Sequence, residues 1–102
     1  PVVVHDPALY LASARTILAR IAETPARITT EMVVGPNPGL QELAAQLAER
    51  SDPAVGAAVA ARYPTAAVLA LAFDAPDWAG LEAEAGRLVA WRTPKGREPH
   101  EF

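Results

Sequence analysis

The 102-residue chain reads as an α/β domain: a small three-layer sandwich, β-α-β-α-α-β-α, with a mainly parallel three-stranded sheet. Three observations point there. The pairs Asp6-Pro7, Asn37-Pro38 and Asp52-Pro53 mark helix starts, because the side-chain oxygen takes an orphan backbone N–H and proline loses nothing at the first position. Stretches of helical period alternate with short β-rich or wholly apolar runs. Strands joined by helical crossovers pair in parallel, with helices covering the sheet. The alternatives are an α+β fold with mixed strand directions, or an all-α fold should residues 66–73 coil.

Taken in order, Val2-Val3-Val4 is a short β-branched strand. A first helix is expected from Pro7 to Glu23, with Leu11, Ala14, Ile17, Leu18 and Ile21 on one face and Ser13, Thr16, Arg20 and Glu23 on the other. Arg27 to Val34 is rich in β-formers and bounded by Pro25 and Gly35-Pro36, so it reads as a second strand. The second helix runs from Pro38 to Arg50, with Leu40, Leu43, Ala44 and Leu47 inward. The third runs from Pro53 to Tyr63 and is mostly apolar. Ala66 to Phe73 is a continuous apolar run, suited to a strand covered on both faces. Ala75-Pro76-Asp77 opens a fourth helix reaching Arg92, with Trp78, Leu81, Ala85, Leu88 and Val89 on one side. Residues 1–92 then form one globular domain, and 93–102 a tail without periodicity.

Composition narrows the function classes. The chain is 51% hydrophobic, much of it alanine, and 21% charged. Its net charge of −3 repels nucleic acid, and the one basic cluster, Arg92, Lys95 and Arg97, is diluted by Glu98 and Glu101. A helix-turn-helix reading of the second and third helices fails for want of side chains able to read a base edge. There is no cysteine, and no apolar run nears the ~20 residues needed to span a bilayer. No nucleic acid, no membrane, no metal and no cofactor are therefore expected, and the cytoplasm is the default location.

The candidate site follows from the expected topology, since open parallel sheets place ligands at the carboxyl ends of their strands. Those ends carry His5-Asp6, Gly35-Pro36-Asn37-Pro38-Gly39 and Asp74-Ala75-Pro76-Asp77-Trp78. There His5 would be a general base with Asp6, Asp74 or Asp77 orienting it, the catalytic arrangement a histidine needs. Asn37, Gly39 and Trp78 would contact a ligand. The two prolines of the 35–39 loop remove the amides a phosphate would use. Against the rim stands a plainer account: Asp6 and Asn37 are helix caps, Asp74 and Asp77 turn residues, and His5 a strand-end residue. The leading expectation is a non-enzymatic interaction or regulatory domain, partnered by another protein or by itself, self-associating through apolar helix surfaces or a sheet edge. A small α/β enzyme or ligand-binding domain using the rim is the alternative.

Overall fold

The computed structural model describes residues 3–35, 37–83 and 85–94. Its element order is a 3-10 helix (Pro7–Leu9), α1 (Ala14–Ala22), α2 (Gly39–Ser51), α3 (Pro53–Ala61), β1 (Val68–Ala72), a second 3-10 helix (Trp78–Ala83) and β2 (Arg87–Arg92). The only sheet among the described residues is β1 paired antiparallel with β2. The expected parallel three-stranded sandwich is thus overturned: the described residues form an α+β arrangement of three α-helices and one two-stranded antiparallel sheet.

The reasons are local. Neither Val3-Val4 nor Arg27–Val34 is paired; their β-branched residues favour a pleated surface only where a neighbouring strand supplies one. Val2 lies outside the described residues. The expected first helix is broken in two. Asp6 caps only a three-residue 3-10 helix by accepting the Ala8 amide at 2.9 Å, and Leu11 then turns left-handed at φ 52°. The chain restarts at Ser13, whose hydroxyl accepts the Thr16 N–H at 3.2 Å as the N-cap of α1. The expected fourth helix fails because its second half also alternates. Arg87 and Val89 face out, while Leu88 and Ala90 are half-buried and Trp91 is buried. Gly86 lets the chain press against Phe73, since a Cβ there would come within 2.7 Å of the ring. Pairing with β1 (Leu69 opposite Trp91, Ala72 opposite Arg87) decides for strand, with an irregularity between Ala70 and Leu71 that accommodates Val89.

α2 is the centre of the molecule. Its Leu43, with Leu40 and Leu47 around it, packs with Ala14 and Ile17 of α1. Its Ala44 and Ala48, one helical turn apart, pack with Val55 and Val59 of α3 and Trp91 of β2. The α2–α3 contact is close because Gly56 has no side chain: a Cβ there would lie 2.7 Å from Glu49 Cα. Asp52 caps α3 by accepting the Ala54 and Val55 amides at 3.0 and 3.3 Å. Tyr63 stacks on Trp91 at 5.6 Å between ring centroids, closing the core over the sheet. On the outer edge of β2 the Leu88 amide donates to Ser51 Oγ, at the end of α2, at 2.9 Å. No helix of the described residues is long and apolar enough to cross a membrane.

Candidate functional site

With no parallel rim to gather them, the residues expected at a site sit in separate places in the fold. His5 is exposed ahead of the first 3-10 helix. Asp6 accepts the Ala8 amide and also Arg20 Nε at 2.7 Å, reaching fourteen residues forward to α1. The Arg20 guanidinium, and then the Ala8 amide, hold the Asp6 carboxyl below its ordinary value, and Asp6 in turn raises Arg20. Asp74 is exposed after β1. Asp77 accepts the Gly80 amide at 2.9 Å within the turn that opens the second 3-10 helix. Asn37, one residue before the Pro38 N-cap, accepts the Gln41 amide at 3.2 Å in the first turn of α2. Gly39 is buried, where a Cβ would run into the Ala12 carbonyl oxygen. Trp78 donates its indole N–H to the Ile28 carbonyl at 2.7 Å.

One of these residues does line a concavity. Between α1 and the second 3-10 helix lies an open cleft of about 130 Å³, walled by Arg15, Leu18, Ala19, Ala22, Trp78 and Ala79. Its walls are apolar because α1 places Leu18 and Ala22 one turn apart, with Arg15 a turn before Leu18. The Trp78 ring is held in orientation by the Ile28 carbonyl. Arg15 is exposed and has no ion-pair partner among the described residues. A guanidinium beside an indole and aliphatic walls can receive an apolar group carrying a neighbouring carboxylate.

A second, shallower hollow of about 290 Å³ lies along α2 and α3, lined by Ala45, Gln46, Glu49, Pro53, Ala57 and Ala60 among others. His5 and the three expected carboxylates line neither concavity. Among the described residues no group of three or more His, Asp or Glu could hold a metal ion.

Arg15 and Arg20 were not anticipated as polar partners. The Asp6–Arg20 pair has no signal in spacing, because it depends on the break at Leu11 folding the first 3-10 helix back on α1. Arg15 leaves only a partial trace in spacing, its place one turn before Leu18 on α1, because the Trp78 wall beside it comes from the second 3-10 helix. Comparison with family models, with curated proteins and with solved structures finds no match for this chain.

Proposed function

We propose that this chain is a non-enzymatic interaction domain that associates with itself through an apolar surface at the α1 end of the molecule. The observation carrying this is the exposure of Tyr10, Leu11, Met32 and Val34, each 76–81% accessible. They are not scattered. Tyr10 and Leu11 lie between Leu9 and Ala12, and Met32 and Val34 flank Val33. Leu9, Ala12 and Val33 all pack on the one cluster of Ala14, Ile17 and Leu43. Large apolar side chains grouped in this way mark contact surfaces, whereas single exposed ones need no explanation. Met and Tyr are also among the residues enriched in interfaces.

Sedimentation velocity on the whole chain, from low to high micromolar concentration, tests this. The expected result is a concentration-dependent shift from monomer to dimer that Met32→Ser and Leu11→Ser both weaken. A chain that stays monomeric over the whole range overturns the proposal.

A further inference from the structure

We propose that two copies pair about a two-fold axis, Met32 of each filling the α1–Trp78 cleft of the other while Glu31 pairs with Arg15 across the interface. This rests on the self-association put forward above and names the contacts that would make it.

The cleft is of side-chain size: at about 130 Å³ it is slightly smaller than a cavity of roughly 150 Å³ that accommodates benzene. Its walls are apolar and its indole is fixed in place by the Ile28 carbonyl. Ile28 opens the segment that, four residues on, presents Met32 at 81% exposure. Between Ile28 and Gly35 the backbone has no turn or bend, and Thr29 to Val34 make no backbone–backbone hydrogen bond among the described residues. Methionine is unbranched and polarizable, which suits an irregular apolar gap beside an aromatic ring.

Charge matches shape. Glu31, the residue before Met32, is exposed; its Oε2 accepts the Thr24 hydroxyl at 2.7 Å, and its other oxygen has no partner among the described residues. Arg15, at the cleft, likewise has no ion-pair partner among them. Asp77, one residue before Trp78, is turned to the Gly80 amide.

Within one copy Met32 stands in solvent, outside the cleft beside its own segment. The Trp78–Ile28 hydrogen bond ties projection and recess to the same part of the molecule. That is what an isologous interface requires, since the same patch must serve both copies, i meeting j and j meeting i. Each dimer then holds two filled clefts and two Glu31–Arg15 pairs.

A charge-swap cycle read by sedimentation equilibrium tests the pairing on the whole chain. Arg15→Glu and Glu31→Arg should each weaken dimerisation about tenfold or more, and the double variant should recover most of the loss. Met32→Ser should weaken it comparably; its side chain is exposed, so folding is left intact even where a charge reversal disturbs α1. Trp91 is 1% exposed, so quenching of tryptophan fluorescence by acrylamide reports mainly Trp78, and it should fall as wild type dimerises. Dimers indifferent to all four variants overturn this interface while leaving self-association standing. A wild-type chain that never dimerises overturns both.

Discussion

The carboxylate of Asp6 shows how one residue can do two structural jobs. It closes the first 3-10 helix through the Ala8 amide and binds that helix to α1 through Arg20. Both contacts favour the charged form, so the folded-state pKa lies below the ordinary 3.8. A depressed acid contributes stability that is fully present above its unfolded pKa and is lost as pH falls through the folded one. Replacing Asp6→Asn should therefore flatten the stability–pH curve below about pH 4 and leave its shape near neutrality unchanged, as urea titrations at a series of pH values would show. A steeper acid limb in the variant would contradict this.

Two other residues carry backbone strain, Leu11 at φ 52° and Ala66 at φ 67°. A Cβ in the left-handed region costs roughly 1–2 kcal/mol. Ala66 is exposed, so Ala66→Gly should relieve the strain with little lost packing. It should stabilise by up to about 1 kcal/mol once the extra freedom of the unfolded glycine is set against it, measurable as a raised thermal midpoint. Gly39 and Gly56 are the reverse case, since each is needed for a close approach of backbones.

At the level of elements, α3 was readable from the chain because its Asp52 cap, its proline and its apolar run agree, whereas α2 was readable from its apolar spacing alone, Pro38 standing at the cap rather than at the first helical position. Their packing makes a direct prediction. Gly56→Ala must push α3 away from Glu49 of α2 and should cost about 1–3 kcal/mol, visible as a lowered denaturation midpoint with secondary structure retained. The strand at 68–72 also falls inside the expected apolar run.

The partner of that strand was not readable. Residues 87–92 fit a helical stripe and a two-residue alternation about equally well, and only a contact with β1, some twenty positions away, separates them. Conversely, Thr29-Thr30-Glu31-Met32-Val33-Val34 has the composition of a strand without the neighbour that would make it one. The candidate site inherited both misreadings. Its rim depended on three parallel strands, and what remained legible was the local chemistry: Asp6, Asn37 and Asp77 accept amides two to four residues ahead, as capping residues do. Trp78 alone lines a concavity, and the Arg15 beside it could be recognised only once α1 and the second 3-10 helix were seen together.

For the whole molecule, the two small clusters of buried side chains are joined through a single helix. Leu43 belongs to one and Ala44 to the other. Because α2 serves both, they should not unfold separately. Loss of far-ultraviolet circular dichroism and exposure of Trp91 should follow one coincident transition in urea, below the concentration at which copies associate. Two transitions would show that the α1 end melts independently.

The hydroxyl of Ser51 has a wider meaning for how copies can meet. A bare strand border invites other chains to add on, layer after layer, into open-ended fibres. By occupying the Leu88 amide, the last residue of α2 acts as a stopper on the free margin of β2. Growth in that direction is denied its first rung. A chain without that hydroxyl should be the more prone to turn turbid on standing.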